Sequence, residues 1–173
     1  PHLDGVRAVA VYLVVLFHAG LRGFDGGFVG VDVFFVLSGY LVTRMLMKDV
    51  AAGGTIRFRR FYARRFRRLL PASAVALTIT AIAYSAVADP IAVSSARRAF
   101  QASFLYVANW YFIHQSTGYF GAEVATNPVL HVWSLAVEEQ FYLVWPLLIA
   151  GLIALARRSP WRPLATVRGA VAV

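Results

Sequence analysis

The sequence predicts an all-α, multi-pass transmembrane helical bundle. Of its residues, 60% are hydrophobic and only 14% are charged, with a mean hydropathy of +0.65. These values lie outside the usual range for a soluble domain. Residues 69–88 contain no charge, and a helix of that length is about 30 Å long, the thickness of the hydrocarbon core of a bilayer. Pro71 would lie in the first turn of this helix, where its missing N–H costs little.

Five apolar segments are expected to form the membrane helices of the bundle. The fourth segment is short, because its residues would rise only about 22 Å as a helix. It is therefore expected to be tilted, extended or re-entrant. The five segments cover residues 6–21, 28–47, 69–88, 99–113 and 129–156.

The connection between the first two segments has the sequence RGFDGGFVGVD, which contains four glycines. Such a composition is unfavourable for a continuous helix. We therefore expect non-helical backbone here, of the kind that membrane proteins tolerate only where it is buried in protein or lines a cavity.

Basic residues dominate the charge, giving a net charge of +9 and an isoelectric point near 10.6. Nucleic-acid-binding domains are seldom so apolar, so we expect no nucleic-acid partner. Cysteine is absent, which excludes disulfides, a thiol nucleophile and a thiolate metal site.

Positive charge concentrates between residues 44 and 68, which the charge-asymmetry rule predicts to be a cytoplasmic loop. Two interpretations of this arginine-rich loop remain open. The charges fix topology and contact anionic lipid head groups, or they capture the phosphates of a soluble ligand, for which arginine is better suited than lysine. Nine of the seventeen basic residues lie here: Arg44, Lys48, Arg57, Arg59, Arg60, Arg64, Arg65, Arg67 and Arg68.

Arg7 and His18 are ionisable residues on the first predicted helix. They are eleven residues apart, about three turns, so they share one helix face and are separated by roughly 16 Å along the axis. A histidine within a membrane bundle can transfer a proton near neutral pH. The alternative is a structural histidine bonded to a neighbouring carbonyl.

A polar stripe is predicted on the fifth segment, because His131, Ser134, Glu138 and Tyr142 fall within a narrow arc at 100° per residue. A carboxylate inside a bundle needs a cation or hydrogen-bond donors to remain charged, which suits acid/base or orienting work. The alternative is an interhelical polar contact that only stabilises the bundle. Glu139 lies off the arc, and pairing with an arginine would suffice to explain it.

Asp32 and Ser38 accompany the glycine-rich connection in GGFVGVDVFFVLSGYL. Exposed N–H groups of such a connection can stabilise an oxyanion or a phosphate. The alternative is a close helix crossing that Gly30 and Gly39 permit.

Four motifs in order resemble those of acyltransferase family 3, a family of bacterial integral-membrane O-acyltransferases. LDGVRAVAVYLVVLFH resembles its arginine and histidine helix, and GGFVGVDVFFVLSGYL its glycine-rich motif. RRFRRLLP resembles its cytoplasmic arginine motif, and HVWSLAVEEQFYLVWP its tryptophan, serine, glutamate and tyrosine helix. The resemblance extends over residues 3 to about 156.

The resemblance implies transfer of an acyl group, usually acetyl, from cytoplasmic acyl-CoA to a hydroxyl of an envelope polysaccharide, glycolipid or related sugar. It implies a location in the bacterial inner membrane, contact with membrane lipid, no tightly bound cofactor and no metal. His18 would be the general base or an acylated relay, with Arg7 and Glu138 orienting it. The coenzyme A contacts would be Arg64, Arg65 and Arg68, and the supporting or substrate-binding residues would be Asp32, Ser38, His131, Trp133, Ser134 and Tyr142.

Domain organisation also follows from the resemblance. Proteins of this family are expected to have about ten membrane helices, sometimes followed by an esterase-like domain. Residues 1–156 would then form the N-terminal half of the acyltransferase domain, and residues 157–173 a basic loop leading into the other half.

Two functions of other classes remain open. The same buried polar residues can line a transporter or a lipid or glycan headgroup-binding bundle without covalent chemistry. A structural membrane scaffold is the third interpretation, although the Glu138 stripe would then be an unnecessary cost.

Overall fold

The computed structural model describes residues 2–116 and 126–158, and all of its regular elements are helices. The C-terminal basic loop predicted for residues 157–173 lies outside the described residues from position 159 onward. Six helices are described within these ranges: α1 (His2–His18), α2 (Val29–Gly53), α3 (Phe58–Val87), α4 (Pro90–Phe104), α5 (Ala108–Ser116) and α6 (Val132–Arg158).

Three of the described helices, rather than the predicted five, have the length and composition to cross a membrane. They are α2, α3 and α6, with 25, 30 and 27 residues respectively. The shorter α1 has 17 residues. The length and apolar character of the three long helices indicate a membrane protein.

Residues 99–113, predicted to form the tilted, extended or re-entrant fourth segment, are not one continuous helix, because the chain breaks between α4 and α5. Tyr106 adopts a left-handed conformation with φ of 55°, which a helix cannot accommodate. The break is stabilised by Gln140 of α6, whose side-chain amide donates to the Tyr106 carbonyl at 2.8 Å. Hydropathy does not reveal such a break. The sequence here also contains no glycine or proline that would indicate a turn.

Most of the arginine-rich segment, residues 44–68, is helical, and only residues 54–57 form a loop between α2 and α3. Helix α3 begins at Phe58, eleven residues before the charge-free run. Pro71 therefore lies inside the helix rather than in its first turn, and its ring removes one backbone hydrogen bond there. Arginine, alanine and leucine are good helix formers, so the charged turns extend the apolar ones.

The chain divides into two compact units, Pro1–Ile56 with Trp145–Val173 and Arg57–Val144. In the first unit, α1 packs against α2 where two glycines allow close approach. A Cβ on Gly30 would collide with the carbonyl oxygen of Ala10, and one on Gly27 with that of Leu13. This is the close crossing predicted as the alternative for Gly30, and residues 19–28 are non-helical as expected.

The C-terminal half of α6 belongs to the first unit and is tied to α2 by two side chains. The Trp145 indole donates to the Thr43 hydroxyl at 2.8 Å, and that hydroxyl donates to the Gly39 carbonyl at 2.7 Å. Arg157 donates to the carbonyl of Gly54 at 2.5 Å. The end of α2 is thereby fixed along α6.

The second unit contains α3, α4, α5 and the first half of α6 around a small apolar core. Alanines allow these helices to approach closely, and Asp89 caps α4 by accepting from the N–H groups of Ile91 and Ala92. This unit holds the arginines of α3 and Glu138. The core consists of Leu77, Ala99, Ala108, Phe112, Val129, Val132 and Ala136.

Candidate active site

Arg65 lies at the centre of an ionic cluster between α3 and α6. Its NH2 group is 3.9 Å from a carboxylate oxygen of Glu138, and its Nε is 3.6 Å from one of Glu139. The guanidinium also lies over the ring of Tyr142, where the π face attracts a cation. Helix α3 is therefore linked to α6 by a cation placed between two carboxylates and an aromatic ring. We call Arg65, Glu138, Glu139 and Tyr142 the ionic cluster.

Glu138 is the better-supported carboxylate of the ionic cluster. The hydroxyl of Tyr142, one turn further along α6, donates to its Oε1, the atom that faces Arg65. Tyr142 is only 3% exposed. One carboxylate oxygen therefore accepts a hydrogen bond and also faces a cation. The predicted stripe thus brings Glu138 and Tyr142 together.

Glu139 has a different environment. It is the more buried of the two side chains, 11% exposed against 23% for Glu138. Its Oε1 and the Nε of Arg65 have no hydrogen-bond partner among the described residues. These two atoms attract each other as charges alone. The expectation that an arginine pairs with Glu139 is confirmed.

The other members of the stripe serve the start of α6. His131 lies in the turn before α6 and not on the helix, because the Asn127–Pro128 pair forms a turn in which the N–H groups of Val129 and Leu130 bond to Asn127. The Ser134 hydroxyl donates to the His131 carbonyl at 3.0 Å. Trp133 stands beside them, 39% exposed.

His18 is the last residue of α1, and its side chain is exposed. Its Nδ1 lies 2.8 Å from the carbonyl oxygen of Val14. Since a carbonyl can only accept, Nδ1 carries the proton, and in the neutral ring Nε2 is left as the acceptor. The carbonyl contact expected of a structural histidine is thus present, and it also orients the ring as a base. Arg7 lies half-buried on the same helix.

Several N–H groups of the glycine-rich connection and the start of α2 are engaged in backbone hydrogen bonds. Those of Gly27, Val29, Gly30 and Val31 donate to backbone carbonyls three residues earlier at 2.8–3.1 Å. These four donors are therefore engaged within the backbone, and an oxyanion or phosphate site at this connection stays a prediction. Asp32, exposed in the first turn of α2, and the half-buried Ser38 remain predicted supporting residues.

The predicted donor-binding arginines do not share one environment. Arg64 and Arg68 are exposed on α3, whereas Arg65 is 22% exposed and faces α6. Its engagement in the ionic cluster favours a role in positioning Glu138. The pairing of Arg65 with Glu138 could not be predicted from the sequence, because the two residues are far apart along the chain.

A polar network around Gln140 is a feature that sequence reasoning missed. The Gln140 amide donates to Asn109 at 2.9 Å and to the Tyr106 carbonyl, and its oxygen accepts from Asn109 and from the Trp110 indole, both at 3.2 Å. The hydroxyls of Tyr106 and Ser73 are also hydrogen-bonded to each other. The network holds the α4–α5 break against α6, the helix that carries Glu138, Glu139 and Tyr142 of the ionic cluster.

A family model and two curated relatives agree on the family to which this chain is similar. The model of a family described as an acyltransferase domain matches residues 1–173. The peptidoglycan O-acetyltransferase OatA of Listeria monocytogenes is 44% identical over 146 residues, covering 84% of this chain and 23% of that protein. The O-acetyltransferase OatA of Staphylococcus aureus is 40% identical over 153 residues, covering 88% of this chain and 25% of that protein.

These relatives are much longer than the chain. It spans about a quarter of the length of the curated relatives it matches. No solved structure matches it significantly.

Proposed function

Because the chain belongs to acyltransferase family 3, we propose that it is part of an integral-membrane O-acyltransferase that moves an acetyl group from cytoplasmic acyl-CoA to a hydroxyl of an envelope glycan. The similarity to two O-acetyltransferases over 84% and 88% of the chain carries this proposal. Peptidoglycan, the substrate class in the name of the Listeria relative, is the first acceptor to test.

His18 is the proposed general base. The acceptor oxygen attacks the thioester carbon, a C–O bond forms, and the C–S bond breaks. Nε2 takes the proton that the hydroxyl loses and returns it to the departing coenzyme A sulfur. Contact with the Val14 carbonyl holds the tautomer in which Nε2 can do so. In the alternative form of the proposal, Nε2 attacks the thioester first and carries the acetyl group to the acceptor.

Arg7 and Glu138 have electrostatic roles in the proposal. Arg7 stabilises negative charge on the acyl-CoA donor. Glu138, held in place by Arg65 and Tyr142, contributes a fixed negative charge that orients the reacting groups. Arg64 and Arg68 contact coenzyme A on the cytoplasmic side, and Arg65 acts through Glu138.

The test uses membranes that contain the full-length protein, supplied with radiolabelled acetyl-CoA and peptidoglycan. We expect covalent label on the glycan, and a loss of at least about 100-fold in the rate with His18→Ala, the lower range for a general base. His114→Ala is the matched control, an exposed histidine of α5 with no role in the proposal, and it should retain the wild-type rate.

Two results would contradict the proposal. A His18→Ala protein that inserts normally and acetylates at the wild-type rate would exclude His18 as base or relay. Failure of the wild-type protein to label any glycan, while it binds or moves an envelope ligand, would favour the transporter or headgroup-binding alternative.

A further inference from the structure

An open cleft of about 510 Å³ lies at the N-terminal end of α3, apart from the ionic cluster. Its lining combines four arginines with one small and one aromatic side chain. None of these lining residues is acidic, in contrast to the surroundings of Arg65. The six residues are Arg57, Phe58, Arg59, Arg60, Ala63 and Arg67; we call this the arginine cleft.

Helix geometry separates the arginine cleft from the ionic cluster. Arg60, Ala63 and Arg67 follow the spacing of one helix face, whereas Arg65 is rotated about 140° from Arg60 around the axis. Arg60 and Arg67 are exposed on that face. The arginine that pairs with α6 and the arginines of the cleft therefore point in different directions, and one α3 carries both.

Ala63 gives the cleft its shape. Its methyl group lies on the face between Arg60 and Arg67, which are two turns apart, about 10 Å along the axis. A larger residue at this position would fill the space between the two guanidinium groups. Phe58 adds an apolar wall, and its ring is stacked with that of Tyr62 at 6.3 Å between centroids.

We propose that the arginine cleft binds the phosphate groups of an anionic ligand, with Arg60 and Arg67 as the main contacts and Arg57 and Arg59 at the rim. Guanidinium groups pair with phosphate through two parallel hydrogen bonds, and several in one concave site suit a ligand with more than one phosphate. Two kinds of ligand fit this chemistry. The first is coenzyme A, through its phosphates, and this assignment rests on the proposed function. The second is an anionic phospholipid head group, and this assignment is independent of the proposed function.

The test measures both sources on the full-length protein. Coenzyme A binding is measured by titration calorimetry in neutral detergent. Phosphatidylglycerol binding is measured by native mass spectrometry after exchange from micelles that contain equal phosphatidylglycerol and phosphatidylcholine. Arg60→Gln with Arg67→Gln removes two cleft charges, and Arg97→Gln with Arg98→Gln removes two exposed charges of α4 as the matched control.

We expect the cleft variant to weaken binding of one probe about 10- to 100-fold, the effect of losing charge-assisted hydrogen bonds, while the control retains wild-type affinity. Weakened coenzyme A binding identifies the donor as the source, and weakened phosphatidylglycerol binding identifies lipid. If the cleft variant and the control bind both probes equally, the proposal is overturned, whether or not the protein transfers acetyl groups.

A second variant separates shape from charge and guards against misfolding of the arginine variant. Ala63→Leu keeps every charge and favours helix, but it fills the floor of the cleft. We expect it to weaken the same probe about fivefold or more, equivalent to about 1 kcal/mol, because the larger side chain occupies the space between the two guanidinium groups. Unchanged affinity would show that the phosphate contacts lie elsewhere. Loss of acetylation with His18→Ala tests the proposed function separately.

Discussion

Replacing Arg65 with methionine removes the cation of the ionic cluster while keeping an unbranched apolar side chain on α3. Glu138 and Glu139 would then be adjacent carboxylates, 23% and 11% exposed, without the guanidinium that lies 3.9 and 3.6 Å from them. Tyr142 would also lose the cation above its ring. The substitution is therefore expected to destabilise the packing of α3 against α6.

The magnitude follows from the distances and the burial. At an effective dielectric constant of about 20, each charge pair attracts by about 4 kcal/mol, most of which offsets desolvation. Removing one partner of a fully buried pair costs about 3–5 kcal/mol. Because the side chains are 11–23% exposed, water screens part of the remaining charge, and we expect a loss of about 2–4 kcal/mol in the free energy of unfolding.

The assay is denaturant unfolding of the full-length protein in mild detergent, arranged as a double-mutant cycle. Arg65→Met, Glu139→Gln and the double variant are compared with wild type, and we expect a coupling energy of about 1–3 kcal/mol, as for other directly contacting charges. Arg68→Met is the control. This exposed arginine of α3 should change stability by less than about 0.5 kcal/mol.

The electrostatic reasoning is refuted if Arg65→Met costs no more than Arg68→Met. It is also refuted if the single substitutions add without coupling, because Glu139→Gln should lose most of its effect once the cation has gone.

Two further predictions concern packing and the α4–α5 break. Gly30→Ala should cost about 1–3 kcal/mol, because its Cβ would meet the Ala10 carbonyl and lie 2.8 Å from Cγ2 of Val14. The Gly151→Ala control has open space and should be neutral or stabilising; equal thermal unfolding of the two would contradict the close crossing. Gln140→Leu should cost about 1–3 kcal/mol and speed amide exchange at the break, because it leaves the Tyr106 carbonyl without its 2.8 Å donor. Exchange unchanged from wild type would count against this prediction.

The long helices could be predicted because their signal is local. Except for their terminal residues Ala88 and Phe28, the charge-free run at 69–88 and the apolar run at 28–47 fall within α3 and α2, and no distant contact is needed to identify them. Hydropathy places the start of α3 too late, because it treats arginines as loop residues. Helix propensity points the other way, since RRFYARRFRRLL contains no helix breaker.

The side-chain contacts between α3 and α6 could not be predicted, because their partners are distant in the sequence. The sequence does not distinguish the four neighbouring arginines of α3 at positions 64, 65, 67 and 68. Arg65 pairs with Glu138 because its face of α3 is turned towards α6. Glu138 and Tyr142 were predictable because one helix carries both. The left-handed Tyr106 was not, since Gln140 of another helix stabilises it.

The length of α3 has a consequence for access. Thirty residues extend about 45 Å, whereas the hydrocarbon core is about 30 Å thick. When α3 crosses perpendicular to the bilayer, about 15 Å projects beyond the lipid tails, and the arginine-bearing turns from Phe58 to Arg68 account for that length. In a bilayer, Arg67 would lie near the level of the lipid phosphates and Arg57 in the water beyond them. A soluble anion could then reach this end of the helix without entering the membrane, in competition with the neighbouring head groups, so its affinity should depend on the anionic lipid content.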